Sequence, residues 1–166
     1  MVGTEISAER VIGFLKEIPD PDIPVVNIVE MGMVRTVEVD DDTVVVEVTP
    51  TYSGCPATKM ITDDIIAHLK EKGIENARVK MVYSPAWTTD WMGKEVKEKL
   101  RYYGIAPPEK RESKEDILFC GLNRVKRCPY CESKDTRKVS EFGSTPCKAI
   151  YNCNSCCQPF EVFKCI

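Results

Sequence analysis

Two thiol pairs near the C-terminus, Cys128-Pro-Tyr-Cys131 and Cys153-Asn-Ser-Cys156, carry the chemistry of a closed metal site. Cysteines three positions apart on a tight knuckle aim both thiolates at one ion, and two such knuckles supply a tetrahedral set of four sulfurs. The twenty-one residues between them suit a four-cysteine zinc ribbon with Cys128, Cys131, Cys153 and Cys156 as ligands. Cys157 directly follows Cys156, so Cys153-x3-Cys157 is an alternative second knuckle; Cys156 is preferred because its spacing makes the tighter turn. Eight of the nine cysteines lie at or beyond residue 120, a density that a disulfide framework would also show. The stretch from Met1 to Ile12 lacks the apolar segment of a secretory signal, so a cytoplasmic chain with reduced thiols and structural Zn2+ is expected.

Cys55 stands apart, in Thr49-Pro-Thr-Tyr-Ser-Gly-Cys-Pro56, just before an expected helix. The free N–H groups and dipole of a helix start favour a thiolate, so the position predicts a thiol of lowered pKa, fit for a soft metal or for nucleophilic attack. The plain alternative is a small buried residue filling the loop. His68, the one histidine, falls about three turns down the same helix and is a poor base for Cys55. Asp20 and Asp22, in Asp20-Pro-Asp-Ile-Pro24, remain as acidic partners.

The elements that must position these groups are legible from pattern. Ser7 caps a helix whose apolar face is Val11, Phe14, Leu15 and Ile18, stopped by Pro19 and Pro21. Val25 to Val29 reads as a short strand, and the alternation on either side of Asp40-Asp-Asp42 as a β-hairpin. A second helix runs from Pro56 to about Lys72, with Met60, Ile61, Ile65 and Leu69 as its buried stripe, and ends at Gly73. A strand at Ala77 to Tyr83 and a third helix from Asp90 to Tyr103 follow. This order predicts an α+β fold, a small mixed sheet with three helices, followed by a C-terminal β zinc ribbon.

The chain has 166 residues and a net charge of -3, unevenly spread. Residues 120–166 hold eight Lys or Arg against four Asp or Glu, a local +4, which leaves -7 on the rest. A basic ribbon is compatible with nucleic acid, but the acidic remainder and the lack of interleaved aromatic and basic residues speak against it. Phe160 and Phe163 read as the ribbon's small core rather than a base-stacking platform. No apolar run reaches the length of a membrane span.

The segments Asp20-Pro-Asp-Ile-Pro24, Thr51-Tyr-Ser-Gly-Cys-Pro56 and Ser84-Pro-Ala-Trp87 resemble the metal-sulfur cluster assembly family that includes SufT-like proteins, over roughly residues 7 to 107. The ribbon, with Phe142-Gly-Ser-Thr-Pro-Cys147-Lys148 and Pro159-Phe-Glu-Val-Phe-Lys-Cys165, is similar to the tail of the PaaD-like phenylacetate-degradation branch. The resemblance implies an accessory factor, not an enzyme, that assembles an iron–sulfur cluster or iron site in a multicomponent oxygenase, that of phenylacetyl-CoA epoxidation. It places cluster handling at Cys55, Asp20 and Thr51, and less directly at Trp87. One thiolate cannot enclose a cluster. Cys55 is therefore expected to bind a transient iron or iron–sulfur cluster with the Cys55 of a second copy, in a homodimer, or with the client, the oxygenase or its iron–sulfur reductase.

The same resemblance puts Cys147 and Cys165 at positions where the PaaD-like tail has cysteine, as a second thiol site beside the zinc; the alternative is two buried small residues. Cys120 has no assignable role. The expected domains are 1–107 for cluster assembly, 108–119 as a linker and 120–166 as the ribbon. The competing function is a zinc-ribbon adaptor that binds nucleic acid or protein without cluster chemistry.

Overall fold

The computed structural model describes residues 6–41, 43–52, 54–108 and 126–164. Its chain divides into two compact units, Met1–Trp87 and Thr88–Ile166, upstream of the expected linker.

In the first unit, α1 (Ala8–Leu15) starts at Ser7, whose side chain accepts from the Arg10 N–H, and buries Val11 and Leu15. The hairpin forms as β1 (Val34–Asp40) and β2 (Thr43–Val48), antiparallel, with Asp41 in the left-handed region at φ 48°. From β2 the chain crosses through α2 (Thr58–Glu71) to β3 (Asn76–Met81), which pairs parallel to β2 in a sheet of order β1-β2-β3. Strict alternation decides the faces: Val44, Val46 and Val48 are buried, while Thr43, Val45 and Glu47 are half-buried on the other side. The helix stripe is Ile61, Ile65 and Leu69. Met60 is 55 % exposed and leaves the expected stripe, because one helical step turns it about 100° from Ile61.

The expected strand at Val25–Val29 is instead a run of turns with one isolated bridge, Pro19 to Asn27. The cause is local. The Asn27 Oδ1 accepts the N–H groups of Val29 (3.1 Å) and Glu30 (2.8 Å), a side-chain turn that competes with a ladder. The apolar residues are still spent on the core: Ile23, Val26 and Ile28 are buried.

In the second unit a short 3-10 turn, Thr89–Trp91, precedes α3 (Lys94–Tyr102), so the third helix begins later than its pattern predicts. Then β4 (Ile105–Ala106), β5 (Thr136–Ser140), β6 (Lys148–Cys153) and β7 (Pro159–Phe163) form a sheet of order β4-β7-β6-β5. Its core holds Ala106, Ala149, Tyr151, Phe160 and Val162 beside Cys128 and Cys153. The α+β class, three helices and C-terminal ribbon stand as expected from sequence. The placement of α3 differs: it packs against β4, which the ribbon sheet takes up through parallel pairing with β7.

Candidate functional site: a loop thiol and a four-cysteine cluster

Cys55 lies where a parallel strand ends and a helix begins, the edge at which α/β units place their ligand sites. The loop from Thr49 is tied down at both ends: the Thr49 N–H donates to Met33 O at 2.8 Å, and the Cys55 N–H to Tyr52 O at 3.1 Å. Cys55 O then accepts the Thr58 hydroxyl at 2.7 Å, so α2 starts two residues after Pro56. The thiol is half-buried, and Gly54 beside it is exposed; a Cβ there would lie in ordinary contact with the Tyr52 ring, at 3.5 Å.

The expected lowering of the Cys55 pKa is overturned. Burial pushes the thiol up, the Ala57 N–H and the Thr51 side chain pull it down, and the carboxylates of Asp22 and Asp20 push it up again. The helix-start donor is present, but desolvation and two like charges outweigh it. At neutral pH the group is a protonated thiol.

Two segments distant in sequence thus meet: the first proline loop with Asp20 and Asp22, and the loop that carries Thr51 and Cys55. The two acids differ. Asp20 is buried, and its Oδ1 accepts the N–H groups of Asp22 (2.9 Å) and Ile23 (2.8 Å), so it shapes the loop. Asp22 is half-buried and exerts the stronger charge effect on the thiol. From sequence both acids are possible partners of Cys55, whereas the resemblance singles out Asp20 alone; which of the two acts more strongly on the thiol is not legible from the Asp-Pro-Asp repeat. Trp87 is buried and donates from Nε1 to Met31 O at 2.9 Å, which anchors the end of its own segment.

Cys128, Cys131, Cys153 and Cys156 bring all four Sγ atoms within 4.8 Å of one another. Sulfurs bound at ~2.3 Å to a tetrahedral ion lie ~3.8 Å apart. The separations Cys128 to Cys156, 3.7 Å, and Cys131 to Cys153, 3.5 Å, fit that frame. The two knuckles repeat one design. The Cys128 N–H donates to Ser133 O and the Cys153 N–H to Gln158 O, both at 3.0 Å, and each knuckle closes on a left-handed residue, Glu132 at φ 60° and Cys157 at φ 59°. Cys157 is therefore the counterpart of Glu132, exposed and outside the sulfur cluster.

The Cys153 thiol is brought down to about 6 by the Cys156 N–H, against burial, with Cys131 and the Ser155 N–H adding to the effect. For Cys156 the Gln158 N–H favours the thiolate, but burial and the neighbouring sulfurs push it up to about 12. One thiolate is already favoured, and a cation at the centre would remove the remaining protons.

Cys147 is buried, its Sγ 3.0 Å from Thr145 Oγ1, immediately before β6, whose far end is Cys153. Six residues of strand separate the two by ~20 Å, so Cys147 does not form the expected thiol site beside the metal cluster and is instead the alternative, a buried small residue. Cys165, its expected companion, and Cys120 lie outside the described residues.

Residues 119–164 match the model of the PaaD zinc beta ribbon domain, and residues 8–82 that of an iron–sulfur cluster assembly protein. An Escherichia coli protein named as a component of 1,2-phenylacetyl-CoA epoxidase is 46 % identical over 152 residues, 92 % of this chain and 89 % of its own length. The chain belongs to the PaaD family. An Fe–S protein maturation auxiliary factor of Bacillus subtilis, YitW, is 33 % identical over 97 residues, 56 % of this chain and 92 % of that protein. A solved domain of unknown function from Bacillus anthracis superposes with a TM-score of 0.53 at 28 % identity, covering 56 % of this chain and 90 % of that one. The chain thus joins a domain of the iron–sulfur cluster assembly family to a ribbon whose four cysteines could hold a metal ion. Among the described residues no helix is long and apolar enough to cross a membrane.

Proposed function

We propose that this chain is an accessory factor that matures an iron–sulfur cluster or iron site in a multicomponent oxygenase of the phenylacetyl-CoA epoxidase kind, with Cys55 handling the metal and the four-cysteine cluster holding a structural zinc. The observation that carries the reading is the convergence of Asp20, Asp22 and Thr51 on a half-exposed thiol at a strand-to-helix edge. A thiol held protonated by burial and two carboxylates is poor as a resting nucleophile but well suited to exchange its proton for a cation, whose charge the same carboxylates favour. The oxygenase or its iron–sulfur reductase is the client. The remaining ligands come from it or from the Cys55 of a second copy in a homodimer.

Zinc, iron and acid-labile sulfide per chain, measured after oxygen-free purification for the wild type and for Cys55→Ala, test this directly. Zinc in both, with iron and sulfide only in the wild type, is the expected result. Zinc alone in both proteins would overturn cluster handling and leave a ribbon adaptor.

A further inference from the structure

The residues between the second pair of cysteines do more than space them. In Cys153-Asn-Ser-Cys156 both intervening side chains are polar, whereas the first knuckle has Pro129 and Tyr130 in those places. Asn154 and Ser155 reach back to the segment that leaves the first knuckle. The Asn154 N–H donates to Asp135 O at 2.9 Å, and its Nδ2 donates to Asp135 Oδ1 at 2.8 Å. The Ser155 hydroxyl lies 2.7 Å from that of Ser133, whose Oγ also accepts the Asp135 N–H at 3.1 Å. Ser133 in turn accepts the Cys128 N–H at its carbonyl, at 3.0 Å. A chain of hydrogen bonds thus runs from one ligand-bearing turn to the other without any sulfur in it.

Register explains why these residues meet. β5 and β6 pair Thr136 with Cys153, so Asp135 and Asn154 form the next rung, where the strands give way to the knuckles. Strand ends are where a small sheet opens first. Here the opening would part the two half-sites, and side-chain bonds extend the ladder across the place where it would start. Each bond is exposed and adds little by itself, so the four residues act as a set. Metal binding and ribbon folding are one equilibrium, and bonds made only in the closed ribbon therefore count toward keeping the ion. We infer that Asp135 with Asn154 and Ser133 with Ser155 form a latch between the half-sites that slows metal loss, an inference that rests on the structural zinc proposed above. None of the four supplies a sulfur; they are positioning residues that hold the turns that do. A chain that passes iron through Cys55 needs its other thiolates to stay occupied, because four empty ones would take the cargo from one.

The test uses the full zinc-loaded chain mixed with excess EDTA, with the rate of zinc loss read from protein samples desalted at intervals. Asn154→Ala and Ser155→Ala should each speed release about threefold, and together about tenfold. Asn154→Asp alone sets two carboxylates face to face and should also speed it. Adding Asp135→Asn to that variant supplies a donor again, with the direction of the bond reversed, and should bring the rate back to within about twofold of the wild type. General weakening of the ribbon would not be undone by this exchange of partners, so recovery is the signature of the latch. Release from the double alanine variant within about twofold of the wild type, or no recovery in the exchanged pair, would overturn it. A wild-type chain purified without zinc would overturn the structural site and the latch together, whereas unchanged rates from a zinc-loaded chain overturn the latch alone.

Discussion

Burial, with two loop carboxylates, sets how Cys55 behaves. Because burial and the Asp22 and Asp20 carboxylates raise the thiol pKa, the thiolate fraction at pH 7 is small and grows about tenfold per pH unit until the raised value is passed. Alkylation of Cys55 should follow that slope. Asp22→Asn removes one like charge and should speed alkylation at pH 7 by about two- to fivefold, measured by mass spectrometry of the quenched protein. The left-handed residue closing each knuckle makes a second expectation. At φ 59° an L residue is strained by about 1 kcal/mol, so Cys157→Gly should leave metal content intact and be neutral or stabilising by up to that amount in thermal unfolding. Cys156→Ser should instead lose the metal. The sequence favours Cys156 over Cys157 only by the tighter spacing; the sulfur cluster contains Cys156, and the left-handed backbone angle turns Cys157 out of it.

The elements were legible where periodicity was strong and long. Ser7 capping α1, the β1–β2 hairpin and the Ile61, Ile65 and Leu69 stripe follow from capping, alternation and helical spacing alone. Val25–Val29 was not legible because a run of apolar residues looks the same whether it pairs or merely fills a core, and Asn27 decided the matter through its own side chain. The position of α3 was not legible either: its companion β4 is two residues long, too short for any pattern, and its partner β7 lies more than fifty residues on. The turn between them gives a test. Gly73 and Gly104 both have positive φ, +87° and +89°, but a Cβ at Gly73 meets nothing within 4 Å whereas one at Gly104 meets the Tyr130 ring. Gly73→Ala should cost about 1 kcal/mol of backbone strain, and Gly104→Ala about 2–3 kcal/mol, by denaturant unfolding.

For the whole molecule the two units rest on different stabilising physics. The first has a continuous apolar core, including fully buried Leu15, Ile28, Val44, Val46, Ile65 and Leu69. Among the described residues the ribbon's core cluster is seven buried residues, two of them cysteines of the metal set. So small a core does not hold a fold unaided, and metal binding is folding energy there. A zinc chelator should therefore abolish the ribbon's slow-exchanging amides while those of α2 and β2 remain, as read by hydrogen exchange. The candidate metal set was fully legible because four thiols at fixed spacing are a local signal. The Cys55 neighbourhood was less so: that Asp22 acts on the thiol more strongly than Asp20 depends on two loops meeting.

The repetition of one turn on both sides of the cluster also bears on how the ribbon is made. Each knuckle presents two sulfurs in the same backbone frame, so each is a complete half-site before the other arrives. An ion can be captured first by Cys128 and Cys131 or first by Cys153 and Cys156, and the chain between then only has to close a loop, a cost that grows slowly with length. Loading has two parallel entrances. Obstructing one knuckle slows capture by that route and leaves the other to complete the ribbon.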